Sequence, residues 1–373
     1  MNTKLMNRYA VTFLLGCALL VTMGLVMVFN TTAAEVLDRS LDKSTHHALI
    51  KQILYAGLGA FGAWGLWILG YEAILKLSGF FLAFFTLLLI LVFVPKIGQQ
   101  INGAHRWLSI FGHSFQPSEF VKYLIPIYYI HVVTSKKEVM KMKEFVLLLA
   151  VLAVPMSLIL IEPDNGTVAI IFSALIVLFI LTRIRFLFWG LPLCILMVSG
   201  GIVASRMPHV SDRIKIYLHP ELDLKGKGHQ PYQAKIAAGS GGVLGRGLGE
   251  SLQKLDYLPE ARSDYIAAIF AEEFGFLGIC GLILTYMILG FCGFKMSALS
   301  TDRSASLLIA ILTYLICFQA FLNLGVVSGL LPSKGTNLPF FSQGGSSLLA
   351  NFMVVSIILN PTRKRDERIN AKT

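Results

Sequence analysis

The chain has 373 residues, of which 14% are Asp, Glu, Lys or Arg and 55% are hydrophobic, and its formal net charge is +11. A water-soluble domain carries roughly 25% charged residues, so this composition excludes a soluble globular protein and points to an integral membrane protein. The Lys and Arg excess lies in short segments between apolar runs, where it works as a topology signal; no nucleic-acid partner is expected.

Apolar runs of the ~17–25 residues needed to cross hydrocarbon recur at 9–29, 49–70, 76–94, 117–134, 144–161, 165–182, 186–205, 265–291, 305–327 and 346–361. They predict an all-α integral membrane protein with about ten transmembrane helices, a single polytopic domain over residues 1–373. The first run follows Lys4 and Arg8 and is longer than a signal-peptide core, so it reads as an uncleaved first helix. With that end inside, the inner segments collect Lys76, Lys136, Lys137, Lys141, Lys143, Arg183, Arg185, Lys295, Arg303 and the tail Arg363, Lys364, Arg365 and Arg368. The short outer segments hold far fewer cations, which puts both termini in the cytoplasm. The connections at about 95–116, 206–264 and 328–345 then share the extracytoplasmic side, the large one falling between helices 7 and 8. Cys17, Cys194, Cys280, Cys292 and Cys317 lie inside predicted helices with no paired spacing, so neither a disulfide framework nor a zinc site is expected.

Polar motifs gather in those connections. Residues 103–123 read GAHRWLSIFGHSFQPSEFVKY. Pro117 suits the first turn of a helix, which sets Glu119 and Lys122 three apart on one face. Arg106 adds a second cation beside Trp107. Two cations near an acid suit a phosphate-bearing ligand, while snorkelling to lipid headgroups, with Trp107 in the aromatic belt, explains the same residues. EPDNGT at 162–167 is turn chemistry; Glu162 and Asp164 either complete that turn or reach into a cavity. The stretch 232–250, YQAKIAAGSGGVLGRGLGE, holds six glycines but has neither nucleotide fingerprint. A flexible interfacial loop and an anion cradle both fit it. Residues 257–278 set Glu260, Asp264, Glu272 and Glu273 at the mouth of an apolar segment, where acids are costly and therefore functional candidates. Asp264 is the first of these. At 339–347, PFFSQGGSS, the N–H groups near Ser342 and Ser346 open a helix; anion binding and ordinary capping are both available. Lys334, in LPSKG, on its own reads as a headgroup contact.

Taken together, RWLSIFGHSFQPSEFVKY, EPDNGT, PYQAKIAAGSGGVLGRGLGES, QKLDYLPEARSDYIAAIFAEEFGFLG and LLPSKGTNLPFFSQGGSSLLANF resemble the SEDS family (shape, elongation, division and sporulation), in family order and over nearly the whole chain. YLPEARSDYIAAIFAEEFGFLG and the lysine of LPSKG are similar to the division branch rather than the elongation branch. Gln343 stands where the family commonly has Tyr, and Asn337 is unusual in its loop. The resemblance implies a peptidoglycan glycosyltransferase that polymerises lipid II at the outer face of a bacterial cytoplasmic membrane, at the division site. It implies that Asp264 is the catalytic base and that Arg106, Lys122 and Lys334, or a divalent cation (Mg or Mn), hold the pyrophosphate. Glu119 would orient Lys122, Arg213, Tyr232, Gln233 and Ser240 would shape the cavity, and Ser342 and Ser346 would lie in the substrate site. No organic cofactor is implied. The implied partners are the lipid II substrate, a class B penicillin-binding protein transpeptidase, other division proteins and membrane lipids. Rival readings are a lipid II flippase, the elongation-type polymerase, and a scaffold for division proteins. A flippase needs a polar path through both leaflets, whereas the notable polar residues here gather on one side.

Overall fold

A computed structural model describes residues 2–39, 45–101, 104–110, 112–136, 138, 140–205, 217, 219–224, 226, 228–254, 262–332 and 335–370. Among these, ten helices fall on the ten predicted spans: α1 (Asn2–Arg39), α2 (His47–Leu69), α3 (Tyr71–Leu91), α4 (Ser118–Ser135), α5 (Met142–Ile161), α6 (Asn165–Leu181), α7 (Phe186–Ser205), α9 (Ile266–Leu299), α10 (Arg303–Val327) and α11 (Gly345–Asn370). Seven of them are long and apolar enough to cross a membrane on length and composition: α1, α2, α3, α5, α9, α10 and α11. In lipid every backbone polar group needs an internal partner, and a helix supplies it within one segment. Several helices overrun their apolar run, as α1 does to Arg39, because intrahelical hydrogen bonds do not end where the hydrocarbon does.

Helix α4 carries buried polar residues and is enclosed by its neighbours. Glu119, Lys122 and Pro126 lie on α4 and are buried, and α4 packs against α3, α5, α6, α10 and α11. Around it, α2 lies along α11, α1 along α9, and α9 along α10. Asp164 caps α6 by accepting from the backbone N–H (3.2 Å) and hydroxyl (2.9 Å) of Thr167, and Asp302 caps α10 by accepting from Ala305 N at 2.9 Å.

Two of the connections carry structure that the sequence reading left as loop. Three segments form an antiparallel sheet, β1 (Gly98–Ile101), β2 (Ala104–Ile110) and β3 (His113–Phe115), in the order β1-β2-β3. Gln99 pairs with Trp107 and Leu108 with Phe115; Leu108 is the buried anchor. The large connection contains a short 3-10 turn (Pro220–Asp223) and a helix, α8 (His229–Ser240), packed on α9.

The glycine-rich stretch after α8 is neither a free loop nor an open anion cradle. Helix α9 breaks at Gly275 (φ 65°, ψ −163°), and the break frees backbone groups that must be paired elsewhere. The 242–247 segment pairs them. Arg246 N and Gly247 N donate to the carbonyls of Glu272 and Glu273 (both 3.0 Å), while Phe276 N and Leu277 N donate to those of Gly242 (2.9 Å) and Val243 (3.2 Å). A Cβ at Gly245 would overlap the backbone of Glu273, and one at Gly275 the backbone of Gly245, so the approach requires glycine on both sides.

Candidate active site

A cavity of about 890 Å³ opens at the sheet end of the bundle. Its wall draws on α2, the sheet, the starts of α4, α6 and α11, the turn before α9, and the segment 335–347. Asp264, Arg106, Glu119, Lys122, Asp164 and Ser346 all line it, so residues from four separate motifs converge on one space.

Asp264 sits in the turn 262–265 that leads into α9, half-buried. Its position is fixed through the backbone: Asn323 Nδ2 on α10 donates to the carbonyl of Asp264 (2.8 Å) and to that of Thr336 (2.6 Å). Ser342 Oγ donates to the carbonyl of Ser263 at 2.6 Å and accepts from Leu338 N at 2.8 Å, and Gln343 N donates to the carbonyl of Arg262 at 2.9 Å. Gly335 (φ 61°) faces the carboxylate, and a Cβ there would lie 3.1 Å from Asp264 Oδ2. The turn is therefore held by three side chains or backbone groups from two other elements, and Ser342 works as a brace behind the wall.

Lys122 is almost fully buried, with 1% exposed. Its Nζ donates to Glu119 Oε2 and to Gln319 Oε1, both at 2.7 Å, and lies 4.9 Å from the ring centre of Tyr123. Gln319 in turn donates to the carbonyl of Asn337 at 2.8 Å. One element, α10, thus reads the buried ion pair through Gln319 and the catalytic-turn candidate through Asn323, one helical turn apart. Arg106 on β2 donates from Nε to the carbonyl of Glu162 (3.0 Å) and from Nη2 to that of Pro163 (2.8 Å). Part of its donor set clamps the α5–α6 turn, and the remainder faces the cavity. Lys122 is too deeply buried to reach a lipid headgroup. In that same turn Glu162 is wholly buried with both carboxylate oxygens lacking a hydrogen-bond partner; burial, then the neighbouring Asp164, push its pKa up to about 8 against the pull of Arg106. Asp164 is also raised, by burial first, and it lines the cavity.

Other expected residues lie elsewhere. Tyr232, Gln233 and Ser240 are on α8 and do not line the cavity; Ser240 Oγ is turned back to the carbonyl of Ala237 at 3.0 Å. Gln230, two residues before Tyr232, is the α8 side chain that does. Arg213, Lys334 and Glu260 fall outside the described residues. Glu272 and Glu273 are consumed in structure: Glu272 accepts from Ser251 Oγ (2.6 Å) and Leu252 N (3.2 Å), and Glu273 from Lys254 Nζ (2.9 Å) and from Asn30. Ser346 Oγ accepts from Gln116 N at 2.9 Å, joining the sheet to α11.

The sequence reading missed the α2 wall, where Lys51, Gln52 and Tyr55 line the cavity. Gln52 holds the 342–344 segment by donating to the carbonyl of Ser342 at 3.2 Å and accepting from Gly344 N at 3.4 Å. It also missed Arg262, Gln319 and Asn323. A usable signal existed for the last two: amides four residues apart in an apolar helix share a face, and polar groups at membrane depth are rarely idle. Among the described residues no group of three or more His, Cys, Asp or Glu side chains is arranged to hold a metal ion, so the donor set does not fit a divalent cation held by the protein alone.

The sequence model of the FtsW/RodA/SpoVE family, described as cell cycle protein, matches residues 11–367. A probable peptidoglycan glycosyltransferase FtsW from Alcanivorax borkumensis is 36% identical over 357 residues, covering 93% of this chain and 91% of the relative. Among solved structures, a chain from work on structural coordination of polymerization and crosslinking by a peptidoglycan synthase complex superposes with a TM-score of 0.73 at 26% identity, covering 94% of this chain and 97% of that one. The rod shape determining protein RodA of Thermus thermophilus gives 0.66 at 25% identity, with 95% and 96% covered. A match over nearly the full length and a relative of this identity lead to one conclusion: the chain belongs to the FtsW/RodA/SpoVE family.

Proposed function

We propose that this protein is a peptidoglycan glycosyltransferase of cell division that polymerises lipid II, with the cavity as its active site and Asp264 as general base. The observation that carries the reading is the Asp264 carboxylate, on a turn held through its backbone, on the wall of a cavity that also presents Arg106, Lys122, Lys51 and Arg262. Asp264 takes the proton from the 4-hydroxyl of an acceptor glucosamine as that oxygen attacks the anomeric carbon of the donor muramoyl unit. The bond from that carbon to the diphosphate oxygen breaks, and the electron pair leaves with the undecaprenyl diphosphate. One displacement turns the α-linked donor into a β-1,4 linkage. The cations face the negative charge that develops on the leaving group, the kind of fixed electrostatic stabilisation that lowers barriers most.

The relative's name, glycosyltransferase FtsW, supports the activity and the division role. The synthase-complex neighbour supports a class B penicillin-binding protein as partner. Placing the cavity end outside the cytoplasmic membrane, with both termini inside, follows the Lys and Arg bias of the short segments. The test is Asp264→Asn, assayed with its partner on labelled lipid II. A positioned base contributes about 10²–10⁴-fold, so glycan ladders should fall by that factor while the purified protein melts as the wild type does. Turnover within a few-fold of wild type would remove Asp264 from the reaction.

A further inference from the structure

Three of the exposed side chains of residues 242–248 are apolar, and the one charged side chain there, Arg246, is ion-paired with the buried Glu272 at 3.5 Å. Val243 is 63% exposed, Leu244 79% and Leu248 56%. Beside them, joined by the hydrogen bonds of Phe276 N and Leu277 N, stand Phe276 and Leu277, both more than half exposed and continued down α9 by Leu284, Met287 and Phe291. On a helix long and apolar enough to cross a membrane such a stripe is suited to face lipid, and the hydrogen bonds of Phe276 and Leu277 set the 243–248 tip beside it.

Depth can be read along the helix. From Lys295, exposed at the far end of α9, back to Phe276 the chain rises about 29 Å at ~1.5 Å per residue, close to the ~30 Å thickness of hydrocarbon. If Lys295 marks one boundary, Phe276 and the segment bonded to it lie at the other. Non-helical backbone is tolerated at that depth only when its polar groups are paired within the protein. Here Gly245, Arg246 and Gly247 donate to carbonyls of Gly241, Glu272 and Glu273, and the Glu272 and Glu273 carboxylates are buried and bonded.

We propose that residues 242–248 are a re-entrant clasp whose apolar tip, Val243, Leu244 and Leu248, inserts into the bilayer leaflet on the cavity side, and that lipid is its partner. The sequence reading left this segment as a flexible interfacial loop or an anion cradle; backbone pairing across the break at Gly275 makes it competent to leave water. The clasp closes the helix break nine residues below the start of α9, so bilayer depth and the position of the Asp264 turn are tied through one rigid element.

The experiment uses the full chain in liposomes of phosphatidylethanolamine and phosphatidylglycerol, with the native cysteines replaced. A nitroxide is placed at Leu244→Cys or Leu248→Cys, and its collisions with oxygen and with a neutral nickel chelate are compared. Met287→Cys supplies the lipid reference and Glu221→Cys the aqueous one. The depth parameter at 244 and 248 should be positive, with the sign found at 287. A negative value, as at 221, would return the segment to water and overturn the proposal. Exclusion of both reagents would mean that protein covers the tip, which overturns it equally. Should the 244 variant not purify as a monodisperse species, Val243→Cys and Leu248→Cys decide the matter.

Discussion

Lys122→Met is the perturbation that separates architecture from substrate binding. Lys122 Nζ is held by Glu119 and Gln319 at 2.7 Å each, and the pair is buried. Removing one partner of a buried pair leaves an uncompensated charge and costs about 3–5 kcal/mol, so Lys122→Met should lower the melting temperature in detergent sharply. Glu119→Gln combined with Lys122→Met removes both charges in side chains of similar volume and should recover most of that loss. Two acceptors occupy Nζ, and one N–H remains to face the cavity. If that donor meets the diphosphate, losing a hydrogen bond to a charged group costs about 1.5–3 kcal/mol, or about 10- to 150-fold in use of lipid II at ~1.4 kcal/mol per decade. The double variant would then melt near wild type and still polymerise poorly in a lipid II titration. A double variant that regains full turnover refutes the substrate contact; a single variant that melts like wild type refutes the structural one.

Asn323→Ala leaves the carbonyls of Asp264 and Thr336 without their shared donor, at about 1–3 kcal/mol for each buried group, and kcat on lipid II should fall more than KM rises; equal stability and kcat would show the brace to be idle. Glu162 has a folded pKa pushed above its unfolded value, to about 8, so the folded state holds the extra proton between roughly pH 4.5 and 8 and stability falls as pH rises through that window. In Glu162→Gln that part of the slope should vanish and the melting temperature at pH 8 should rise; a melting profile with unchanged slope would mean Glu162 is already ionised. In a cysteine-free background, Leu222→Cys on the cavity side should react with an impermeant maleimide in intact cells, and Ser135→Cys only after permeabilisation. The opposite pattern would put the cavity in the cytoplasm and end the lipid II polymerase reading.

What the sequence could disclose depended on where each residue finds its partner. The ten spans were legible because hydrocarbon demands an unbroken apolar run, a local property of about twenty residues. Glu119 and Lys122 were legible as a pair because their spacing is helical, and Asp264 stood out as an acid at the mouth of an apolar segment. The β1-β2-β3 sheet was not, since its strands are short and its one buried anchor, Leu108, means little before Phe115 is laid beside it. Arg106 was seen as a cation but not as a clamp. Its acceptors are main-chain carbonyls 56 and 57 residues away, and any residue type can offer a carbonyl. The same holds for Asn323 on Asp264 and for the pairing of Gly242 to Gly247 with the broken turn of α9. The active-site candidate was therefore readable in part as side chains, whereas the devices that aim those side chains are backbone contacts, which sequence does not encode by residue type except where, as at Gly245 and Gly275, only glycine leaves room for them.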